Sequence, residues 1–108
     1  MTILAVAVNS DGTIYQNPSG GINSCRQEEG IYVIEFLNQF SQPPVVVATQ
    51  NYPNWNGDAS EHGMPTDNAV LVHVDVNKAI ILTGNSNGHQ SGGPKAEDRN
   101  FTAVIVGA

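Results

Sequence analysis

Residues 68–84 read NAVLVHVDVNKAIILTG, and this stretch decides the fold. Valines at positions 70, 72, 74 and 76 alternate with Leu71, His73 and Asp75. A period of two is typical of a strand that buries one face, so the pattern predicts a half-buried strand. Asn77-Lys78 predicts a tight turn, after which Ala79–Thr83 returns as a second strand. Because so short a turn joins only antiparallel neighbours, the stretch is a predicted hairpin.

The hairpin fixes the position of the two longest stretches that carry no strand or helix signal. Residues 51–68 precede it and residues 85–99 follow it. Both stretches therefore leave the same end of the hairpin. Structureless loops longer than about 12–15 residues are uncommon in compact domains and often carry function. We expect this shared end to be the functional surface.

Composition narrows the class of protein and its partners. The 108 residues, 40% of them hydrophobic, fit one globular domain over residues 1–108. Four basic and ten acidic residues give a net charge of −6, which excludes nucleic acid and anionic membrane surfaces as partners. Met1–Val8 lacks the features of a signal peptide, and no run could span a bilayer, so we expect no membrane insertion. The single Cys25 allows no internal disulfide and is expected to be a small buried residue.

Six further runs carry strand signals, and no stretch shows sustained helical spacing. Turn signals such as Asn9–Gly12 separate the runs. Eight short strands favour an all-β sandwich or small barrel, and we expect a small antiparallel β-sandwich of six to eight strands. Phe40, between two of the runs, is expected to fill the space under the sandwich. The six runs are Thr2–Val8, Thr13–Gln16, Ile22–Gln27, Ile31–Leu37, Val45–Thr49 and Phe101–Val106.

Alternating strand direction predicts a molecule with two ends. One end collects the turns 9–12 and 28–30 with the long segments 51–68 and 85–99, and the other collects 17–21, 38–43 and 76–78. Eight of the ten acidic residues fall at the first end. They are Asp11, Glu28, Glu29, Asp58, Glu61, Asp67, Glu97 and Asp98.

Several core and turn motifs resemble a known family. Gly30, Tyr32 and Phe36 are followed by Phe40, Pro43-Pro44 and a valine run, then by the alternating Val72–Asn77 and the closing Phe101–Gly107. Over about residues 20–108 the chain resembles the small β-sandwich modules of H-type lectins and of the receptor-binding tips of phage tail fibres. The tail-fibre version is the closer match, because the lectin pattern has a Trp in its last strand where this chain has Val104 and Ile105.

The resemblance implies a homotrimer that recognises surface glycans. In H-type lectins the sugar site lies near the subunit interface and uses polar and charged side chains, but no lectin sugar ligand transfers to a position here. Because no signal peptide or transmembrane segment is predicted, we expect a chain that is cytoplasmic on synthesis, or a component of a virion or phage-tail-like particle. The compartment is otherwise unknown from the sequence.

The first long segment holds the residue types that suit a sugar. Trp55 is the only Trp of the chain, and an indole face can cover the C–H bonds of a sugar while amides and carboxylates bind its hydroxyls. The alternative is that Trp55 packs on the base of its own loop or on a neighbouring subunit. The expected ligand-binding residues are Tyr52, Asn54, Trp55, Asn56, Asp58, His62, Asn87 and His89.

Metal and catalytic sites are weaker hypotheses. Asn54, Asn56 and Asp58 alternate as calcium ligands do, but the closing glutamate of a calcium loop is missing, so we expect no cofactor and keep calcium as a minor possibility. No paired His spacing predicts zinc. Ser86 or Ser91 with His89 and Asp98 would place a whole triad on one loop, where its geometry is poorly held.

Two charged pairs have open alternatives. Asp98-Arg99 could pair with a neighbouring chain, whereas His73 and Asp75 could form either a solvated pair or part of a subunit contact.

The sequence as a whole favours a non-enzymatic recognition module that binds cell-surface carbohydrate through segments 51–68 and 85–99. The alternatives are a structural or assembly protein whose loops make subunit contacts and, with less support, a small enzyme.

Overall fold

The described part of the chain contains ten strands and no helix. The computed structural model describes residues 1–51, 55, 66–86 and 93–108. No helix in those ranges is long and apolar enough to cross a membrane. The strands are β1 Thr2–Val8, β2 Ile14–Gln16, β3 Ile22–Glu28, β4 Ile31–Phe36, β5 Val45–Asn51, β6 Val70–Val74, β7 Lys78–Leu82, β8 Gly84–Asn85, β9 Lys95–Ala96 and β10 Asn100–Gly107.

Eight strands form two four-stranded antiparallel sheets. Sheet A has the order β2-β1-β10-β5, and sheet B has the order β3-β4-β7-β6. The expected all-β antiparallel sandwich is therefore confirmed. The remaining strands, β8 and β9, pair as a two-stranded ribbon. This ribbon corrects the prediction that residues 85–99 lack regular structure, because Lys95 pairs with Asn85 and Ala96 with Gly84.

Alternating side chains of both sheets meet in one core. Tyr32, Ile34 and Phe36 of β4 share the inward face, as their spacing predicts, and Phe101 packs against the Tyr32 ring at a centroid distance of 5.1 Å. Phe40 is buried and meets Phe36 edge-on at 5.3 Å, which confirms that it fills the space beneath the sheets. Close-packed apolar side chains of this kind supply most of the stabilisation of a small domain.

The strand with alternating valines, β6, is less buried than its pattern predicts. β6 is the edge strand of sheet B, and Val70, Leu71 and Val72 are 43%, 38% and 55% exposed. A register shift between Leu71 and His73 interrupts the alternation. The predicted half-buried strand is therefore wrong for its first three residues, since an edge strand with a bulge has no covered face there.

Cys25 also differs from its prediction. It is exposed rather than buried. It pairs with Val33 in the ladder between β3 and β4, where the inward neighbours on β4 are Tyr32 and Ile34. Cys25 therefore lies on the outer face of sheet B.

Both long segments leave the same end of the sandwich, as predicted. β5 ends where β10 begins, with Asn51 opposite Asn100, and β6 begins where β7 ends, with Val70 opposite Leu82. The Gln50 side chain joins these two places. Its Nε2 donates to the Gly84 carbonyl at 2.9 Å, and its Oε1 accepts from the Gly84 amide at 3.0 Å. We call this the loop end.

Candidate functional site

A cavity of about 600 Å³ lies at the loop end, between the outer face of sheet B and the ribbon. The cross-strand pair Val70 and Leu82 provides an apolar surface on sheet B. Ala96 and Pro94 continue that surface on the ribbon side, and Thr66, Asn68 and Lys95 add polar groups. Small-molecule sites have this mixed character and occupy about 300–1,000 Å³.

Hydrogen bonds across chain-distant residues hold the cavity lining in place. The Ser86 amide donates to Asp67 Oδ1 at 2.7 Å, which joins the entry of β6 to the exit of β8. The buried Thr83 hydroxyl donates to the Glu97 carbonyl at 2.7 Å, and the Glu97 amide donates back to the Thr83 carbonyl at 3.2 Å. These two bonds join the residue after β7 to the residue after β9, and so hold the ribbon against the end of β7.

Ser86 carries an unusual hydroxyl in this lining. Its Oγ is buried and has no hydrogen-bond partner among the described residues. A buried hydroxyl without a partner costs about 1–3 kcal/mol, so such groups are uncommon in folded proteins. A ligand hydroxyl could become the missing partner only after the lining around Ser86 opens, because the Oγ atom is covered.

Charges beside the cavity are paired within the chain. Glu97 accepts from Lys95 Nζ at 3.1 Å through one carboxylate oxygen and from Arg99 Nη2 at 2.6 Å through the other. The hydrogen bond from Lys95, together with the Arg99 charge, holds the pKa of Glu97 below its ordinary value despite partial burial. Three side chains of alternating charge beside the cavity, Lys95, Glu97 and Arg99, are therefore held in order by ion pairs.

The Asp98 carboxylate joins the segment after β9 to β3 and to the turn before β4. It accepts from Arg26 Nε, from the Gly30 amide at 2.8 Å and, at 3.4 Å, from the Tyr32 hydroxyl. Burial raises the pKa of Asp98, but the hydrogen bonds from Arg26 and Gly30 outweigh it and leave the pKa lowered. Asp98 and Arg99 both have ion-pair partners inside this chain, and their pairing with a neighbouring chain stays a prediction.

Trp55 lies on the opposite side of the loop end from the cavity. Its ring stacks on Tyr15 of β2, with centroids 4.8 Å apart and planes 14° apart. Its Nε1 donates to Asn9 Oδ1 at 2.9 Å. β2 and β5 are the two edges of sheet A, and the cavity lies beside β6, which contacts β5. Trp55 therefore packs on β2 and the turn before it, a position that the sequence did not predict, and its role as a ligand contact stays a prediction.

The structure describes one of the eight expected ligand-binding residues. Trp55 is placed as above, and the other seven lie outside the described residues. They are Tyr52, Asn54, Asn56, Asp58, His62, Asn87 and His89. Sequence reasoning missed the cavity residues Val70 and Leu82, whose strand spacing indicated core positions, and it did not single out Lys95 within segment 85–99. It also missed Tyr15, for which the sequence carried no signal beyond an aromatic in a short predicted strand.

The metal and catalytic hypotheses find no support in the described part of the chain. No group of three or more His, Cys, Asp or Glu side chains there could hold a metal ion. The calcium candidates Asn54, Asn56 and Asp58 lie outside the described residues. Asp98, offered for a triad, is instead bonded to Arg26 and Gly30.

His73 and Asp75 form a solvated pair. His73 Nε2 lies 2.8 Å from Asp75 Oδ2, and both side chains are well exposed. Asp75 Oδ1 also accepts from the Asn77 and Lys78 amides at 2.7 Å and 3.0 Å, which stabilises the turn between β6 and β7. Asp75 therefore both pairs with His73 and stabilises the turn between β6 and β7.

Comparison with known proteins gives no relative from which a site could be transferred. No family model matches the chain, and no curated protein or solved structure matches it.

Proposed function

We propose that the chain is a non-enzymatic recognition module that binds a cell-surface carbohydrate at the loop end, in the cavity between sheet B and the ribbon. The observation that carries this proposal is the position of the cavity. It lies where both long segments begin and end, on residues fixed by Gln50, Asp67 and Thr83.

The cavity chemistry suits a sugar. A sugar ring has apolar C–H patches and many hydroxyls, so it needs an apolar surface bordered by hydrogen-bonding groups. Val70 and Leu82 provide the first, and Asn68, Thr66 and Lys95 provide the second. Ser86 Oγ adds a buried group without a partner among the described residues.

The proposed assembly is the homotrimer that the family resemblance implies. Several copies would bring several cavities to one glycan-bearing surface, and linked weak sites bind more tightly than one site alone. Trp55 remains a predicted ligand contact. Its Nε1 and one ring face are already used by Asn9 and Tyr15, so a sugar would have to reach another part of the indole.

A glycan array identifies the ligand, and two variants then test the cavity with it. Val70→Arg fills the cavity and is expected to weaken binding at least tenfold. Its control is Leu37→Arg at the opposite end, since Val70 and Leu37 are equally exposed at 43%. The control is expected to bind like the wild type.

Ser86→Ala separates binding from folding. Because the wild-type hydroxyl has no partner among the described residues, its removal is expected to leave the free energy of unfolding unchanged or slightly higher. Binding of the array hit is expected to fall.

A chain without array hits, or one whose hits bind Val70→Arg at full strength, contradicts the proposal. Hits unaffected by Trp55→Ala would remove Trp55 from the site.

The second candidate is a structural or assembly protein without a small ligand. The observation that favours it is the exposed apolar outer face of sheet A, where Val45 and Val47 are 68% and 64% exposed. An assembled protein with no array hits would favour this candidate.

A further inference from the structure

The outer face of sheet A carries an apolar patch made of Ile3, Val45, Val47 and Val104. These side chains are 58%, 68%, 64% and 45% exposed. The strand register makes them neighbours. Val104 lies opposite Val47 on β5, and Ile3 and Val45 flank Val106 in the next cross-strand row. Side chains in adjacent rows of one face contact one another, so the valine patch is continuous.

The valine patch carries no charge. The strands β1, β5 and β10 contain none of the ten acidic and four basic residues of the chain. A single exposed apolar side chain is ordinary, but an apolar patch spanning three strands marks an interaction site.

The two sides of the sandwich differ in how their edge strands are protected. On one side the edges are β2, which has three residues, and β3, which carries Arg26 and Glu28. On the other side the edges are β5 and β6, which contact each other and whose exposed residues are mostly apolar. Short or charged edges prevent pairing with other chains, so only the first side is protected in this way.

The apolar area is close to what an assembly needs. Three strands about 4.8 Å apart and two apolar cross-strand rows, about 7 Å apart, give a face of about 200 Å². The side formed by β5 and β6 adds about 200 Å², since stacked sheets lie about 10 Å apart. The sum, about 400 Å², approaches the non-polar share of a standard interface, which buries about 800 Å² per partner and is about 60% non-polar.

We propose that a second copy of this chain covers the valine patch and the adjoining β5–β6 side. The patch is neutral in a chain of net charge −6, so two copies meet there without opposing carboxylates. A charged partner would find no complementary charge on these strands. This inference deepens the proposed assembly by naming its surface. The four residues of the valine patch do not line the cavity, whereas Val70 on the β5–β6 side does, so substitutions in the valine patch are the ones that separate self-association from carbohydrate binding.

Light scattering on a sizing column, from low micromolar to hundred-micromolar protein, measures the assembly. The wild type is expected at a multiple of 11.5 kDa. Val47→Glu places a carboxylate in the middle of the patch and is expected to return the mass to that of one chain. Leu37→Glu, an equally drastic change at an exposed site outside the patch, is expected to keep the wild-type mass.

Carbene footprinting of the wild type is a second measurement that needs no folded variant. Labelling of Ile3, Val45, Val47 and Val104 is expected to fall at least threefold from the dilute to the concentrated sample, while labelling of Leu37 stays constant. A wild type that stays at one chain mass at every concentration overturns the proposal and points to another occupant. A folded Val47→Glu chain with the wild-type mass, or equal labelling at two concentrations between which the wild-type mass changes, also overturns it.

Discussion

Arg26 and Asp98 are 72 residues apart in sequence, yet Arg26 Nε lies 2.9 Å from both carboxylate oxygens of Asp98. The same carboxylate accepts the Gly30 amide and the Tyr32 hydroxyl. One side chain therefore ties β3, the turn before β4 and the approach to β10 together. The Tyr32 hydroxyl extends this network: its one proton is shared between Asp98 and the Ser10 carbonyl, which is the nearer acceptor at 2.9 Å, and its oxygen accepts the Arg99 amide.

Asp98→Ala is expected to lower the free energy of unfolding by about 1–3 kcal/mol, because the Gly30 amide and Arg26 lose their acceptor. Urea unfolding followed by far-UV circular dichroism measures the change. Glu29→Ala removes an exposed carboxylate at the same end and is expected to change stability by less than about 0.5 kcal/mol. Equal effects of the two substitutions would show that Asp98 contributes only its charge.

Acid is expected to destabilise the protein through carboxylates whose pKa is lowered in the folded state. Asp98 and Glu97 are two of these, and their ordinary values are 3.8 and 4.5. A lowered folded pKa means that the unfolded chain binds protons first, so stability is present above these values and is lost as pH falls through and below them.

Urea unfolding at pH 6, 4 and 3 measures this dependence. The wild type is expected to lose stability between pH 4 and 3, and Asp98→Ala is expected to lose less over that interval. Parallel pH profiles for the two proteins would assign the acid sensitivity to other groups, such as Asp75, whose pKa the His73 hydrogen bond lowers.

Gly30→Ala is expected to destabilise the ribbon more than Gly20→Ala does. Both glycines have positive φ, at 72° and 68°. A Cβ at Gly30 would lie 2.7 Å from the Thr83 carbonyl oxygen and 2.9 Å from the Glu97 amide, whereas a Cβ at Gly20 meets nothing within 4 Å. Gly20→Ala therefore isolates the backbone cost, about 1 kcal/mol, and Gly30→Ala is expected to add a further 1–3 kcal/mol of overpacking, roughly.

Thermal melting of the two glycine variants beside the wild type measures the difference. Equal melting temperatures for Gly30→Ala and Gly20→Ala would contradict the close packing of β7, the ribbon and the β3–β4 turn.

Trp55 is the only Trp of the chain and reports on the loop end by its fluorescence. Tyr15→Ala removes the stacked ring and is expected to shift the emission to longer wavelength and to increase quenching by acrylamide. Tyr15→Phe keeps the ring and is the control, with emission expected to match the wild type. An unchanged spectrum in Tyr15→Ala would place the indole elsewhere in solution.

The direction of the strands was predictable from the sequence, and burial at the edges was not. Turn residues such as Asp11-Gly12 and Asn77-Lys78 predicted the reversals, so both long segments were placed at one end. The exposure of Val70 and Val72 depends on the place of β6 in the order of sheet B. An alternating pattern carries no information about that order.

The candidate site was predictable only in its location. The ribbon pairs two residues with two residues, which is too short to produce a periodic pattern. Contacts such as Ser86 with Asp67 join residues far apart in sequence through a single hydrogen bond, so composition does not reveal them. Trp55 was predicted as a ligand contact, which stays a prediction, and its contact with Tyr15 depends on the fold rather than on any sequence pattern.

The Gln50 side-chain amide makes two hydrogen bonds with the backbone of Gly84, the same pattern that two residues of adjacent β-strands make with each other. These bonds couple the end of β5 in sheet A to the start of β8, which follows sheet B, and the segments 51–68 and 85–99 both start beyond them. The framework is thus closed before either stretch begins. Libraries that randomise 56–65 or 87–92 would inherit an intact support, which makes this small acidic sandwich a candidate display scaffold for new binding specificities.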